Sequence, residues 1–172
     1  MKEITVAIAG NPNVGKSTIF NALTGANQHV GNWPGKTVEQ KTGHFKQNGI
    51  QFNLVDLPGT YSLSAFSPEE MIAREYIIQE HPDIVVIVAD AANLERNLYL
   101  TVQILEMGVP AMLLLNMMDA ADSRGIQINT AVLQQKLGIP VLTAVARKSD
   151  GLQEMIETIT QIVNVEASHA IA

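Results

Sequence analysis

The sequence predicts an α/β fold, in which a six-stranded, mostly parallel sheet with one antiparallel edge strand carries about five helices on its two faces. Two observations predict it. Short apolar runs alternate with helix-like patterns along the chain, and the first apolar run ends in a glycine-containing loop that leads into a helix. Such alternation produces parallel strands joined by right-handed crossovers, and ligands bind beyond the carboxyl ends of those strands.

The strands are predicted from these apolar runs, which are residues 4–9, 38–45, 50–56, 84–89, 111–116 and 141–144. The first run is followed by a helical pattern over residues 17–24. The second and third runs meet at Asn48-Gly49, a hairpin pair because both residues tolerate positive φ, so these two strands are antiparallel. The later runs are separated by helical patterns, with Gly108 and Gly138 as stop signals.

One helix start is marked with particular clarity. Ser67 can cap the helix, Pro68 suits its first position, and Glu70 can complete a capping box, so a helix is expected as far as about Gln79.

Length and composition favour one soluble globular domain. The 172 residues are 47% apolar and 16% charged, and we assign residues 1–165 to the domain and 166–172, which have no clear pattern, to a C-terminal tail. The net charge of −6, without a basic block, disfavours nucleic acid as a partner. The absence of cysteine excludes disulfides and thiolate metal sites, and no apolar run reaches the roughly 18 residues of a membrane span, so no direct membrane insertion is expected.

The loop after the first strand carries the strongest motif. Residues 10–17 match G-x-x-x-x-G-K-S/T, whose small residues let successive backbone N–H groups surround phosphates. Lys16 is expected to reach the β- and γ-phosphates as a catalytic group, and the Ser17 hydroxyl to bind Mg²⁺. The alternative is a glycine-rich turn without a ligand. The predicted nucleotide-binding residues here are Gly10, Asn11, Pro12, Asn13, Val14, Gly15, Lys16, Ser17 and Thr18.

Two further motifs fall at the ends of later strands. Asp56-Leu57-Pro58-Gly59 can hold the Mg²⁺ shell through its acid and meet the γ-phosphate through the Gly59 N–H, although D-x-x-G alone is often a surface turn. Asn116-Met117-Met118-Asp119 can read guanine, because the Asp119 carboxylate suits the N1–H and 2-amino donors of that base. Alone, Asn-x-x-Asp is more often a helix cap.

The second residue of the guanine motif departs from the usual pattern. Met117 stands where this class has Lys, so an apolar side chain must cover the base. Guanine selectivity should survive this change, with weaker affinity.

Residues 30–38 form a segment rich in glycine and proline that we interpret as a first switch, ordered by the γ-phosphate. Thr37 can supply a second Mg²⁺ hydroxyl and is assigned a catalytic role, and Gly35 and Lys36 are counted with it among the nucleotide-binding residues. Trp33 is the only tryptophan, and three interpretations stay open for it: a switch aromatic, a packing anchor or a partner contact.

The residue after Gly59 is Thr60, where many related enzymes have a water-orienting Gln. Two routes to hydrolysis stay open. Backbone groups can hold the water and give slow turnover, or an added cation or a partner can supply the transition-state charge.

At this point the sequence resembles the intracellular G domain of ferrous iron transport protein B, over essentially the whole chain. Four segments in order carry the resemblance: residues 10–13 (G-N-P-N), 30–35 (V-G-N-W-P-G), 56–63 (D-L-P-G-T-Y-S-L) and 90–99 (D-A-A-N-L-E-R-N-L-Y). Asn93 and Arg96 belong to the last segment, and no chemical role follows for them from the sequence.

The resemblance implies further site residues. Asn13, with backbone carbonyls at Gly31 and Trp33, would form a K⁺ site that replaces an arginine finger and answers the absence of Gln at Thr60. A fifth motif aligns with Val145, Ala146 and Arg147, where the Ala146 N–H would meet guanine O6 and Val145 replaces the usual Ser.

The resemblance also implies the biological setting. We expect a Mg²⁺-dependent GTPase, slow alone and activated by K⁺, at the cytoplasmic face of the bacterial inner membrane and coupled to ferrous iron uptake. The chain would be a soluble excised domain whose helical spacer and membrane domain, its partners, are missing; oligomerisation of the full-length protein stays open. The four histidines lack ligand spacing, and no iron site is expected at His29, His44, His81 or His169.

Two other functions compete with this one. An RNA- or ribosome-associated assembly GTPase shares the G-x-P-N-V-G-K-S loop, but it would carry a basic extension that this acidic chain lacks. A regulatory module that uses GTP occupancy with negligible turnover is compatible with the missing Gln, and a partner such as the spacer would then read the switch.

Overall fold

The computed structural model describes residues 1–171, with side chains described through residue 170. It contains seven strands and six α-helices. The strands are β1 Lys2–Gly10, β2 Gln28–Asn32, β3 Glu39–Gln47, β4 Ile50–Asp56, β5 Ile84–Asp90, β6 Ala111–Asn116 and β7 Val141–Thr143. The helices are α1 Lys16–Thr24, α2 Pro68–Glu80, α3 Leu94–Glu106, α4 Met118–Ser123, α5 Thr130–Leu137 and α6 Leu152–Ile171.

One sheet contains all seven described strands, in the order β2-β3-β4-β1-β5-β6-β7. β3 is antiparallel to both of its neighbours, and the other pairings are parallel. The predicted α/β class is confirmed. The sheet differs from the prediction in one strand, because β2 pairs with the outer side of β3 and becomes the edge. The reversed strand is therefore second from the edge.

Alternation along the central strands separates two apolar layers. In β1, Ile4, Val6 and Ile8 face one layer, which α1 and α6 cover, whereas Ala7 and Ala9 face the layer covered by α2 and α3. All five side chains are at most 4% exposed. Burying a large aliphatic side chain of this kind contributes about 1.5–3 kcal/mol, so these layers hold the carboxyl ends of β1, β4 and β6 in fixed positions.

The helix boundaries follow local chemistry. At the start of α2 the Ser67 hydroxyl accepts a hydrogen bond from the Glu70 N–H at 3.1 Å, as predicted, and the Glu70 carboxylate accepts from the Phe66 N–H at 3.1 Å. α5 begins at the Asn129 cap and ends at Gly138, which has φ 72°.

The last helix departs from the expected organisation of the C-terminus. α6 runs from Leu152 to Ile171 without a break at residue 165, where the sequence showed no pattern. The division into residues 1–165 and 166–172 stays a prediction, and Ala172, the final residue of that tail, lies outside the described residues. Across residues 1–171, no helix combines the length and apolar content needed to cross a bilayer.

Candidate functional site

The loop between β1 and α1 is shaped to bind an anion. Asn13 and Gly15 have positive φ angles of 63° and 97°, so backbone conformation alternates along the loop and turns successive N–H groups towards one side. The loop continues into the first turn of α1, whose unpaired N–H groups add partial positive charge. A side chain at Gly15 is excluded as well, since a Cβ there would lie 2.2 Å from Asn116 Nδ2.

The segment after β4 packs directly on this loop. The Thr60 N–H donates to the Gly10 carbonyl at 3.1 Å, and a Cβ on Gly59 would lie 3.0 Å from Pro12 Cα. The two phosphate-side motifs predicted from the sequence therefore share one surface. Thr60 is only 4% exposed, so its side chain is buried and does not take the place of a water-orienting Gln.

Lys16 and Asp56 meet at the floor of the site. Lys16 Nζ lies 3.8 Å from Asp56 Oδ1, and each side chain is 10% exposed. That distance makes an ion pair but not a hydrogen bond, and the buried Oδ1 has no hydrogen-bond partner. Burial raises the pKa of Asp56 above its ordinary value, although Lys16 and Lys41 pull it down. A buried carboxylate oxygen that lacks a hydrogen-bond partner is a suitable ligand for a metal cation.

Asn116 connects the phosphate loop to the guanine side. Its Nδ2 donates to the Val14 carbonyl at 2.9 Å, and its Oδ1 accepts from the Ala146 N–H at 2.9 Å. The side chain is 3% exposed, so both bonds are buried. The resemblance assigned the Ala146 N–H to guanine O6. In this conformation Asn116 already uses that N–H, and a base would have to share it or replace Asn116.

A cavity of about 650 Å³ opens beside Asn116. Met117 adopts a left-handed conformation with φ 61° immediately before α4, which places Asp119 in the first turn of that helix. Asp119 Oδ1 accepts from the Ala120 N–H at 3.0 Å, and its Oδ2 is paired with the Arg147 guanidinium. The cavity is lined by Gly15, Thr18, Asn116, Met117, Asp119, Ala120, Ser123, Val145, Ala146, Arg147 and Lys148.

Three of these lining residues, Ala120, Ser123 and Lys148, were missed by the sequence reasoning. The first two belong to the first two turns of α4, which begins within the Asn-x-x-Asp motif. A helix that starts inside a binding motif presents its next turn to the same ligand. The start of α4 within the Asn-x-x-Asp motif could therefore have indicated Ala120 and Ser123.

The first switch is held by backbone hydrogen bonds to β3 and within itself. Gly31 is in β2 and pairs with Gln40, and the Trp33 carbonyl accepts from the Lys36 N–H at 2.9 Å. Thr37 is exposed. The Trp33 carbonyl, one of the expected K⁺ ligands, is therefore already engaged in a hydrogen bond within the first switch.

Trp33 is a packing anchor in this conformation. Its side chain is 8% exposed, and its ring meets Tyr76 of α2 edge-on with centroids 5.6 Å apart. Of the interpretations open for this residue, the structure shows the packing one. The indole N–H is buried without a hydrogen-bond partner.

The joining of a G-x-x-x-x-G-K-S loop to an Asn-x-x-Asp pocket through one buried amide is the arrangement of the P-loop G domains, the class that binds and hydrolyses GTP. Within that class the family is also clear. The chain belongs to the ferrous iron transport protein B family, whose model matches residues 4–159.

Individual relatives agree with this assignment. The Fe(2+) transporter FeoB of Shigella flexneri is 47% identical over 98% of this chain, and that of Escherichia coli K12 is 46% identical over the same share. The chain spans 23% of the length of each. The FeoB G domain from Methanococcus jannaschii is 50% identical with a TM-score of 0.85, and covers 95% of this chain and 99% of its own.

A second solved structure includes a nucleotide analogue in its name. The cytosolic domain of the T. maritima FeoB iron transporter in its GMPPNP form is 47% identical, with a TM-score of 0.90, over 93% of this chain and 64% of its own. The predicted class and family are confirmed by these comparisons.

Proposed function

We propose that this chain is the GTP-hydrolysing switch domain of a ferrous iron transporter, dependent on Mg²⁺, slow by itself and stimulated by K⁺. One observation carries the GTP assignment: the Asn116 side chain holds the phosphate loop and the base pocket together as one site. The transporter assignment rests on the names of the relatives, which are Fe(2+) transporters several times longer than this chain.

The chain's own groups divide the nucleotide between them. The N–H groups of residues 13–18 surround the phosphates, and the Lys16 ammonium neutralises charge on the β- and γ-oxygens. The Asp119 carboxylate accepts from the guanine N1–H and 2-amino group, which adenine lacks. Met117 and Arg147 line the cavity around the base. Selectivity for GTP therefore depends chiefly on Asp119.

The Mg²⁺ ion would be held by Asp56 and the hydroxyls of Ser17 and Thr37. Bound there, it would neutralise charge on the β- and γ-phosphate oxygens. Asp56 fits this role because its Oδ1 is buried without a hydrogen-bond partner. Thr37 is exposed in this conformation, and its place at the ion is proposed from the sequence alone.

Hydrolysis replaces the bond between the γ-phosphorus and the bridging oxygen by a bond to water, and releases GDP, phosphate and a proton. Thr60 is buried and cannot orient this water with its side chain. Gly59 lies against Pro12 of the phosphate loop, and its N–H remains as the group that holds the γ-phosphate. Slow intrinsic turnover follows from this small set of catalytic groups. The buried Thr60 side chain also favours the second candidate function, a GTP-occupancy module with negligible turnover.

Stimulation by K⁺ is proposed from the resemblance. Asn13 supports it, since its side chain is exposed at the rim of the phosphate loop. In this conformation Gly31 pairs with Gln40 in the β2–β3 ladder, and the Trp33 carbonyl accepts from the Lys36 N–H. K⁺ binding at the Trp33 carbonyl would have to share that hydrogen bond or replace it.

The remaining expectations concern the full-length protein. We propose that the domain lies at the cytoplasmic face of the membrane, where GTP is available, and that a helical spacer and a membrane domain read its switch state.

Steady-state GTP hydrolysis with Mg²⁺, in matched KCl and NaCl buffers, tests this proposal. Asn13→Ala should abolish any gain from KCl. Asn48→Ala is the matched control, because Asn48 also has positive φ (52°) and is exposed but lies in the β3–β4 turn. Equal rates in the two salts would refute K⁺ stimulation. If multiple turnover is absent in both the KCl and the NaCl buffer, the second candidate function, the GTP-occupancy module, is supported instead.

A further inference from the structure

The Asp119 carboxylate already accepts a hydrogen bond or ion pair on each of its oxygens in this structure. Its Oδ1 accepts from the Ala120 N–H, and its Oδ2 is paired with the Arg147 guanidinium. Asp119 and Arg147 both line the 650 Å³ cavity, so their ion pair lies where the base must bind. Arg147 therefore already donates to the carboxylate that is expected to read the base.

Guanine and hypoxanthine differ in one donor at this position. Guanine offers the ring N1–H and the exocyclic 2-amino group to a carboxylate, whereas hypoxanthine offers only the N1–H. We propose that Arg147 sets how strongly the site distinguishes these two bases, by standing in for the 2-amino donor on Asp119. The inference rests on the proposed guanine-nucleotide function and adds a specificity-determining residue to it.

The two bases place opposite demands on Arg147. When guanine binds, its 2-amino group must share Oδ2 with the guanidinium or displace it, and part of the ion pair is lost. When hypoxanthine binds, its N1–H shares Oδ1 with the Ala120 N–H and Arg147 keeps Oδ2 to itself, so the ion pair is kept. Arg147 thus weakens the binding of guanine, strengthens the binding of hypoxanthine and reduces the difference between the two affinities.

Exposure limits the size of the effect. The Arg147 side chain is 72% exposed and that of Asp119 is 25% exposed, so water screens the ion pair and replaces it in part. Exposed pairs of this kind change equilibria by about twofold to fivefold, and that is the expected change in the ratio of the two affinities.

Isothermal titration calorimetry with GDP and with inosine diphosphate, at fixed Mg²⁺ and salt, measures that ratio. In Arg147→Ala the preference for GDP over inosine diphosphate should increase by about twofold to fivefold. Arg147→Lys keeps the positive charge and an N–H donor group, and should restore part of the wild-type ratio. Arg74→Ala removes an exposed arginine from α2 and is the charge-matched control, with an unchanged ratio.

The outcomes separate this inference from the proposed function. If the wild type binds GDP but Arg147→Ala leaves the ratio unchanged or lowers it, the inference is overturned while the GTPase assignment stands. Equal weakening of both nucleotides has the same meaning, because it shows that Arg147 contacts the nucleotide rather than competing for Asp119. Failure of the folded wild type to bind GDP overturns the proposed function and this inference with it.

Discussion

Asn116→Ala is the substitution whose effect on folding can be worked out most fully from the structure. Asn116 is 3% exposed and forms two buried hydrogen bonds, one to the Val14 carbonyl and one from the Ala146 N–H. Alanine removes both and leaves two buried backbone groups without partners. Each such group costs about 1–3 kcal/mol, so we expect the free energy of unfolding to fall by about 2–6 kcal/mol.

Urea denaturation of the nucleotide-free protein measures this loss. Trp33 is the only tryptophan and is 8% exposed, so its fluorescence reports the unfolding transition. The urea midpoint should decrease while the slope m stays the same, because the substitution does not change the surface exposed on unfolding.

Asn129→Ala provides the comparison. Asn129 is an exposed helix cap whose side chain accepts one hydrogen bond, from the Val132 N–H at 3.1 Å. Its loss should cost about 1 kcal/mol. If Asn116→Ala destabilises the protein no more than Asn129→Ala, the buried bridge does not hold the two halves of the site together, and the reasoning fails.

Three further substitutions have defined outcomes. Gly15→Ala should reduce GDP affinity at least about tenfold by calorimetry, because φ is 97° and the new Cβ would meet Asn116. Burial raises the pKa of Asp56 because it disfavours the charged form of the carboxyl group. Asp56→Asn should therefore raise the Tm of the nucleotide-free protein at pH 7, and this gain in Tm should disappear below the ordinary Asp pKa, where the carboxyl group is neutral in both the folded and the unfolded protein. A lower Tm would contradict this. Burial, with Glu80, raises the pKa of Tyr76 to about 12, so stability should fall between pH 10 and 12 in the wild type, and this component should be missing in Tyr76→Phe.

The site motifs could be predicted because their chemistry depends on short, contiguous spacings. The strand runs place those motifs at carboxyl ends, and parallel strands bring such ends to one edge. What the spacing could not give is the conformation around each residue. The pairing of Arg147 with Asp119 joins residues 28 positions apart, and no local pattern encodes it. The use of the Ala146 N–H by Asn116 is a similar case.

The missed strand has a different cause. β2, Gln28–Asn32, is largely polar and does not alternate between apolar and polar residues, so periodicity does not mark it. It forms because β3 offers unpaired backbone groups at its outer side, which is a tertiary effect. The burial of Trp33 also depends on a distant element, the α2 residue Tyr76.

The position of β2 at the sheet margin has a consequence for local stability. β2 pairs with one neighbouring strand, β3, and its Gln28 side chain also donates to Asn21 Oδ1 and the Gly25 carbonyl, whereas β1, β5 and β6 are each paired on both sides and buried in the two apolar layers. Separation of β2 breaks its ladder with β3 and the two exposed Gln28 bonds, and leaves six strands intact. Amide hydrogens of residues 28–32 should therefore exchange with solvent by local opening, orders of magnitude faster than those of β1, β5 and β6, which should require global unfolding.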